Sequence, residues 1–356
     1  MNEFRRATVG RILPLLFLLL LTACGGGVDS TGGGQPGILG AGATFPYPLY
    51  ARMFDVYSNQ FQVQVNYQSI GSGGGIRQLI ERTVDFGATD AFMTDSELAA
   101  APAPVLHLPT CLGAVVVTYS LENVYQLRLT PDVIAEIFLG EITNWNDPKL
   151  KDLNPNIDLP DLNISVVQRS DGSGTTFVFS DYLSRVSPRW KETVGSGKAL
   201  SWPTGLGAKG NAGVAGLVRQ TPGALGYVEL TYALQNEMPV AQIQNRVGEF
   251  ITPNIESVSL AANTEMPEDT RVSITDTPAP GGYPISSFTW LIFYQDLNYG
   301  NRTLEQAQQL AHLFQWVIHD GQRYAEPLHY APLPQAAVEK AQAILDKLVY
   351  GDQKLL

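Results

Sequence analysis

The chain has 356 residues, of which 44% are hydrophobic and 16% charged, and its net charge is -11. This length suggests two domains or lobes, each large enough for an apolar core. The acidic balance argues against a nucleic-acid partner, because no basic stripe is present to neutralise phosphates. A bound anion would therefore be held by local dipoles and hydrogen bonds, with little long-range attraction.

The first 23 residues have the pattern of a lipoprotein signal peptide. Three arginines precede an apolar run at 12–21, and small residues then lead to Cys24. This order is typical of a secretory signal, and the apolar run is too short to span a membrane. Residues 21–24 (LTAC) resemble a bacterial lipobox, which predicts lipidation of Cys24. A plain signal peptide and a signal anchor are the alternatives.

Residues 24–37 are rich in glycine and are predicted to form a flexible tether. The folded part should begin near Ile38. The second cysteine, Cys111, lies beside an apolar run and is predicted to be a buried free thiol.

The first third of the chain repeats a strand, a small or polar turn and a helix. Strands are predicted near Leu39 and at 61–67 and 85–90, and helices at 46–57 and 76–83, with a capping box from Thr94 to Glu97. Such repetition predicts a parallel α/β sheet, in which ligands lie beyond the carboxyl ends of the strands. The turns around Thr44, Ser72 and Asp90 should therefore converge on one edge.

The stretch 168–177 (QRSDGSGTTF) is the strongest candidate for an anion site. It lies between a predicted strand at 164–167 and a predicted helix at 176–183. A helix N-terminus after a glycine turn presents free N–H groups to an anion. Arg169 adds a bidentate donor, and Asp171 is expected to orient Arg169. The alternative is an ordinary β–α turn in which Thr175 is the N-cap.

The remaining elements complete a second lobe and return the chain to the first. Strand 114–119 is a plausible crossing into the second lobe, and Thr130 should cap a helix beginning at Pro131. The other predicted elements are a helix after Asn211, strands at 224–229 and 288–293, and helices at 303–319 and 335–349. The proline-rich region 236–284 could not be assigned.

Enzymatic and nucleotide motifs were weighed and rejected. The glycine loops match neither a dinucleotide fingerprint nor a P-loop. Ser173 lacks the G-x-S-x-G elbow of a nucleophile, and none of the four histidines has metal-ligand spacing. We therefore predict no enzyme activity, no catalytic residue, no metal and no cofactor.

Several stretches together resemble the periplasmic phosphate-binding protein of the bacterial phosphate ABC importer. The resemblance runs from about Gly40 to the C-terminus and is weakest in 236–284. The stretches that carry it are 40–46 (GAGATFP), 66–75 (NYQSIGSGGG), 84–90 (VDFGATD), 137–145 (IFLGEITNW), 169–175 (RSDGSGT), 205–211 (GLGAKGN) and 223–229 (GALGYVE).

The resemblance implies an α/β, two-lobed periplasmic-binding-protein fold with a hinge of crossing strands. Lobe 1 would comprise 38–116 and 287–356, and lobe 2 would comprise 117–286. It also implies a monomeric, extracytoplasmic receptor, anchored by lipid at Cys24, that binds inorganic phosphate between its lobes. The receptor would deliver phosphate to the membrane permease subunits of the importer.

Eight phosphate contacts are carried over by the resemblance, from both lobes. They are Thr44, Phe45 (through its backbone), Ser72, Asp90, Arg169, Ser173, Gly174 and Thr175. Gly73 stands where many relatives have a second Ser, and Thr89 is a conservative change beside Asp90; neither removes an expected contact.

The residues themselves give Asp90 a role in selectivity. Phosphate near neutral pH keeps a proton that a carboxylate can accept, whereas sulfate keeps none and would meet Asp90 charge to charge. Two alternatives remain open: a receptor for another oxyanion such as sulfate or molybdate, and a secreted phosphatase or other phosphoryl-transfer enzyme.

Overall fold

The computed structural model of the protein describes residues 37–356. The predicted signal peptide, Cys24 and all but the last residue of the predicted tether lie outside the described residues. Within 37–356, no helix is long and apolar enough to cross a membrane.

Thirteen strands are present in the described part of the chain. They are β1 (Ile38–Gly42), β2 (Val65–Ser69), β3 (Phe86–Thr89), β4 (Val105–Tyr119), β5 (Arg128–Leu129), β6 (Ser165–Arg169), β7 (Leu206–Ala208), β8 (Ala224–Glu229), β9 (Gln242–Gln244), β10 (Phe250–Ile251), β11 (Ser286–Tyr294), β12 (Val349–Tyr350) and β13 (Gln353–Lys354).

Twelve α-helices lie between these strands in residues 37–356. They are α1 (Tyr47–Phe61), α2 (Ser72–Ile80), α3 (Asp95–Ala100), α4 (Pro131–Phe138), α5 (Pro148–Leu153), α6 (Gly174–Val186), α7 (Pro188–Thr193), α8 (Gly210–Gln220), α9 (Leu230–Gln235), α10 (Ile255–Ala261), α11 (Leu304–Ile318) and α12 (Gln335–Leu345).

Helix starts follow the capping residues that the sequence contains. The predicted capping box from Thr94 to Glu97 is formed at α3, with both reciprocal bonds present. Thr130 caps α4, and Pro131 occupies its first turn. The starts of α3 and α4 can therefore be explained by local side-chain chemistry.

One eight-stranded sheet runs through the molecule in the order β2-β1-β3-β11-β4-β8-β6-β7. It consists of two parallel groups of three strands, β2-β1-β3 and β8-β6-β7, with β11 and β4 between them. β11 and β4 run antiparallel to each other, and each is antiparallel to the neighbouring group. The parallel strands predicted for the first third of the chain are confirmed in β2-β1-β3.

The long strand β4 changes partner within its own length. It pairs with β11 as far as Ala114 and with β8 from Val115 onward. Side chains from Leu112 to Tyr119 are almost all fully buried, apart from the side-chain-free Gly113. We call the part built on β1, β2, β3 and β11 the first half, and the part built on β6, β7 and β8 the second half.

Two predicted boundaries differ from the structure for reasons of packing. Phe61 was predicted to open a strand but ends α1, because its ring packs on Tyr57 and on His312 of α11, each at 4.7 Å between centroids. Helix α2 begins at Ser72, four residues before its predicted start. A Cβ on Gly75 would lie 2.5 Å from the Cα of Gly42, so only glycine lets this first turn pack on β1.

Region 236–284 contains β9, β10 and α10, followed by turns that lie along both halves. The guanidinium of Arg271 donates to the carbonyl of Met93 in the first half at 3.2 Å. Ser273 donates to Asp181 of α6 in the second half at 2.6 Å. The turns around Arg271 and Ser273, which we call the return segment, therefore link the two halves.

Candidate functional site

The turns that follow the first-half strands meet at one edge of the sheet. β1 lies between β2 and β3, parallel to both, so their carboxyl ends point the same way. Thr44 and Phe45 follow β1, and Ser72 opens the helix that follows β2. The backbone N–H of Asp90, just after β3, donates to Ser72 Oγ at 3.2 Å. The structure thus brings together the turns that were expected to converge.

Asp90 is a carboxyl group almost without solvent contact, with 2% of its surface exposed. Thr289 of β11 donates to its Oδ1 at 2.8 Å, and Ser72 Oγ lies 3.4 Å from Oδ2. Burial raises the pKa of Asp90 to about 7, although the bond from Thr289, the charge of Arg169 and the bond from Ser72 all act to lower it. Near neutral pH this group can therefore hold or release a proton.

The second-half candidates lie at the start of the 13-residue helix α6. Ser173 is the N-cap, and its Oγ accepts from the backbone N–H of Thr176 at 3.1 Å. The alternative with Thr175 as N-cap is wrong, because Gly174 and Thr175 already belong to the first turn. Their N–H groups have no acceptor within the helix and lie at the positive end of its dipole.

Arg169 at the end of β6 is held in one orientation by Asp171. Its Nε and Nη2 donate to the two carboxylate oxygens at 2.8 and 2.5 Å, and its side chain is 1% exposed. Burial acts to raise the pKa of Asp171, but the bonds and charge of Arg169 hold it below its usual value. Asp171 is thus a fixed anion that orients Arg169, the arrangement that the sequence suggested.

The N-terminus of α6 lies directly against the first-half loops. A Cβ on Gly174 would be 2.5 Å from both Asp90 Oδ2 and Ser72 Oγ. The backbone N–H of Gly73 donates to the carbonyl of Gly172 at 2.9 Å, which joins the two halves a second time. The eight predicted contact residues therefore fall into one buried cluster, with side chains at most 6% exposed where exposure is given for them.

Several residues of the cluster were not predicted from the sequence. Asn211, the second residue of α8, is fully buried and donates to Thr44 and Thr175. Thr289 bonds Asp90, and the phenol of Tyr330 donates to the carbonyl of Phe45 at 2.7 Å. One signal was available: Thr289 is the one polar residue of the predicted strand 288–293. Asn211 belongs to the stretch 205–211, but the sequence predicts that its helix begins after it, whereas α8 begins at Gly210.

A cavity of about 290 Å³ borders the cluster and is lined from both halves. Thr44 and Tyr47 line it from the first half, and Asp171, Lys209 and Asn211 line it from the second. Tyr47 is 41% exposed, so the cavity extends from buried site residues toward solvent. It is the candidate entrance to the cluster.

The cluster combines one cation, several hydroxyl and backbone donors, and one carboxyl group. In the described range 37–356, no three His, Cys, Asp or Glu side chains are grouped so as to hold a metal ion. Donors around a single positive charge suit a small oxyanion, and the carboxyl of Asp90 suits one that carries a proton.

Comparison with known proteins gives a consistent result. The family model described as the PBP superfamily domain matches residues 27–320. The chain is 43% identical over 313 residues to the phosphate-binding protein PstS of Xylella fastidiosa strain Temecula1, covering 86% of this chain and 84% of that protein. It is 34% identical to PstS of Methanocaldococcus jannaschii, covering 93% and 94%.

Solved structures show the same fold at low sequence identity. A high-affinity periplasmic phosphate-binding protein, PfluDING, solved with phosphate bound, matches with a TM-score of 0.70 and 20% identity, over 86% of this chain and 93% of that one. An ABC-type phosphate transport receptor from Vibrio cholerae matches with a TM-score of 0.53 and 19% identity, over 83% and 100%.

Proposed function

This chain belongs to the PstS phosphate-binding proteins of the PBP superfamily, and from that premise we propose that it is the phosphate receptor of an ABC importer. It binds inorganic phosphate between the two halves of its sheet and delivers it to the membrane permease. The relatives that it matches are named as binding proteins, and we propose the same role here, without catalysis.

The buried cluster around Arg169 and Asp90 is the observation that carries this proposal. The guanidinium, hydroxyl and helix N-terminal donors complement the negative oxygens of phosphate. Asp90 is the acceptor for the proton that phosphate retains. The proposed contacts are Thr44, Phe45, Ser72, Asp90, Arg169, Ser173, Gly174 and Thr175.

The pKa of about 7 for Asp90 supports the selectivity argument. A carboxyl group that titrates near neutrality shares one proton with a ligand that titrates in the same range. Sulfate brings no proton, so above pH 7 it meets a charged carboxylate, and it can bind only to those chains in which Asp90 itself holds a proton. Discrimination between the two anions then depends on one proton rather than on size.

We propose that 38–116 and 287–356 form one lobe and 117–286 the other. The change of partner along β4 at Ala114 and Val115 supports a hinge close to the first of these boundaries. Closing the lobes would exclude water from the cluster and strengthen each bond to the anion. Small-angle X-ray scattering should show a smaller radius of gyration when phosphate is added; an unchanged radius would contradict lobe closure.

We propose in addition that the protein works outside the cytoplasm, attached to the membrane by lipid at Cys24 after removal of 1–23. The lipobox-like sequence and the glycine-rich tether support this anchor. Metabolic labelling with a radioactive fatty acid should mark the wild-type chain and a Cys111→Ser control. Label that persists in Cys24→Ser would refute the anchor.

Calorimetric titration tests the receptor function directly. Residues 37–356, which pack as one unit, are stripped of bound anion and titrated with phosphate and then with sulfate. We expect one phosphate per chain and no heat from sulfate. Sulfate binding would indicate a receptor for another oxyanion. Binding of neither anion would refute the proposed receptor function.

A further inference from the structure

Asn211 has a side chain whose orientation the structure fixes. It is fully buried at the start of α8, between the two halves. The backbone N–H of Glu229 donates to its Oδ1 at 2.9 Å. Because an N–H group can only donate, the oxygen of the Asn211 amide must face Glu229, and its NH₂ group must face the opposite way.

The NH₂ group of Asn211 donates to one threonine from each half. Its Nδ2 lies 2.8 Å from Thr44 Oγ1 and 3.1 Å from Thr175 Oγ1. Thr44 Oγ1 also accepts from the backbone N–H of Asn211 at 3.2 Å. Thr175 Oγ1 also accepts from Nη1 of Arg169 at 3.3 Å. Each threonine oxygen therefore accepts two hydrogen bonds.

A hydroxyl group has two lone pairs and one proton. With both lone pairs of Thr44 and Thr175 occupied, neither oxygen can accept a further bond, and each must donate its proton. Among residues 37–356, the hydrogen bonds of these two side chains include no acceptor for either proton. Both hydroxyl groups are thus prepared to donate to an anion in the cluster.

We infer that Asn211 is a positioning residue that makes the Thr44 and Thr175 hydroxyls obligatory donors to the bound phosphate. This inference rests on the proposed function, because it concerns the same site. It also narrows where a proton on the ligand can go: a ligand O–H finds no acceptor at either threonine, whereas the carboxylate of Asp90 can accept it. Asn211 thereby supports the selectivity assigned to Asp90 without touching the anion.

Asn211→Asp tests the inference, because it keeps the shape and the Oδ1 acceptor but exchanges the NH₂ group for an oxygen. The threonine protons would then turn toward residue 211 and away from the ligand. In the full-length chain freed of anion, we expect the phosphate Kd to rise at least 100-fold over wild type at pH 8.5. At pH 5 a protonated carboxyl can donate again, so the loss should be at least threefold smaller.

The pH dependence separates positioning from packing, and the uncharged substitutions of the double-substitution cycle below exclude repulsion by the new carboxylate as the cause. A side chain that matters only for packing would lose the same factor at both pH values, and that result would overturn the inference, as would a variant that binds as tightly as wild type. If wild type itself bound no phosphate, the proposed function would fail and this inference with it. If wild type binds and the variant losses are equal, only the role of Asn211 is refuted.

A double-substitution cycle covers the case in which Asn211→Asp does not fold. Asn211→Ala and Thr175→Val are measured singly and together, with circular dichroism as the check on folding. If Asn211 acts through Thr175, the combined loss of phosphate affinity should be at least fivefold smaller than the product of the single losses. A smaller departure from that product would overturn the inference.

Discussion

At the scale of single residues, the cluster depends on how burial changes the chemistry of ordinary side chains. Asp90 has a pKa of about 7 because water is excluded from it, not because a negative neighbour repels its charge. Asp171, two residues from Arg169 in sequence, has its pKa held below the usual value despite its own partial burial. Two aspartates in one site therefore have opposite roles, one as proton acceptor and one as fixed counter-ion.

Asp90→Asn should reduce the preference for phosphate over sulfate. The amide cannot accept the ligand proton as a carboxylate does, and it no longer repels sulfate. The loss of one hydrogen bond to a charged group should lower the ratio of the sulfate Kd to the phosphate Kd by about 10- to 100-fold. Calorimetry measures both constants, and Asp152→Asn, at an exposed position, controls for the change of net charge. An unchanged ratio would refute the role given to Asp90.

The same variant should change how stability depends on pH in the anion-free protein. The native pKa of Asp90 is about 7, whereas the ordinary value of an aspartate is 3.8, so between these values the folded state holds the proton and the unfolded state does not. The stability from Asp90 is complete below the unfolded pKa and is lost as pH rises through the folded one. Asn does not titrate, so Asp90→Asn should lack this decline.

Urea unfolding between pH 4 and pH 8 measures this effect as the difference between wild type and Asp90→Asn. Taking the difference removes the contributions of titrating groups that do not interact with Asp90. The buried Glu229 is not one of these, because the charge of Asp90 adds to burial in raising its pKa, so its response is part of the measured difference. The variant should gain relative stability as pH increases. A constant difference over the whole range would contradict the pKa assigned to Asp90.

Arg169→Lys should weaken phosphate binding even though the positive charge is kept. A lysine cannot bond both oxygens of Asp171 and Thr175 in the fixed fork of a guanidinium. We expect about a 10- to 100-fold rise in the phosphate Kd, the size of one or two lost bonds to charged groups. Arg185→Lys is the control, because Arg185 pairs with Asp181 at the surface. Equal affinities for the two variants would show that charge alone matters.

At the scale of elements, the site requires the N-terminus of α6 to lie close to the first-half loops. Gly174 lets the helix start lie against Asp90 and Ser72, and no other residue type would fit there. Ser173, the N-cap, also anchors the turn by donating its backbone N–H to the carbonyl of Lys198 at 2.8 Å. The helix is therefore held both at its cap and at its first turn.

Gly174→Ala should separate the two halves at the site. Its Cβ would meet two oxygen atoms at 2.5 Å, and relieving such overlap costs about 1–3 kcal/mol, or about 10- to 100-fold in phosphate affinity. Gly216→Ala is a matched control on α8, because a Cβ there has nothing within 4 Å. The control should raise the free energy of unfolding by about 0.5–1 kcal/mol and leave affinity unchanged.

Calorimetry and urea unfolding of the two variants check this prediction together. A Gly174→Ala variant that binds phosphate like wild type would mean that the helix start can shift without loss. In that case the close contact between α6 and the first-half loops would not be needed for binding.

At the scale of the whole molecule, the halves are joined by the shared strand β4, by the return segment around Arg271 and by contacts across the site. One of these contacts is an ion pair between Lys198 Nζ and Glu97 Oε2 at 2.7 Å. Its side chains are only 17% and 26% exposed. On the proposed lobe opening, this pair would break as the lobes separate, so it would favour the arrangement in which the two halves are in contact.

Lys198→Met should speed the release of phosphate while keeping the backbone carbonyl to which Ser173 donates. A partly exposed ion pair contributes about 0.2–1 kcal/mol, which corresponds to a rise in the release rate of up to about fivefold. Higher salt should reduce the difference from wild type, because screening weakens the pair. Lys149→Met is the control, since Lys149 pairs with Glu136 within the second half.

Stopped-flow measurement of phosphate release at two salt concentrations tests this prediction. Equal release rates for wild type and Lys198→Met at low salt would show that this ion pair does not restrain opening. A matching increase in the Lys149→Met control would point to net charge instead.

The sequence by itself determined many of the local elements, and through the family resemblance it proposed the candidate site residues. Capping residues set the starts of α3 and α4, and the apolar run at 224–229 matches β8. These features depend on neighbours in the chain, so a linear reading captures them. The glycine and hydroxyl-rich turns also marked the loops that the structure brings together.

Only the tertiary structure decided the orientation of β4 and β11, the start of α2 and the role of Asn211. Strand direction depends on partners far away in sequence, and the helical first turn of α2 exists because Gly75 packs on Gly42. The donor state of Thr44 and Thr175 depends on an amide fixed by Glu229. The pKa of Asp90 likewise follows from burial, a property of the assembled fold rather than of the sequence around it.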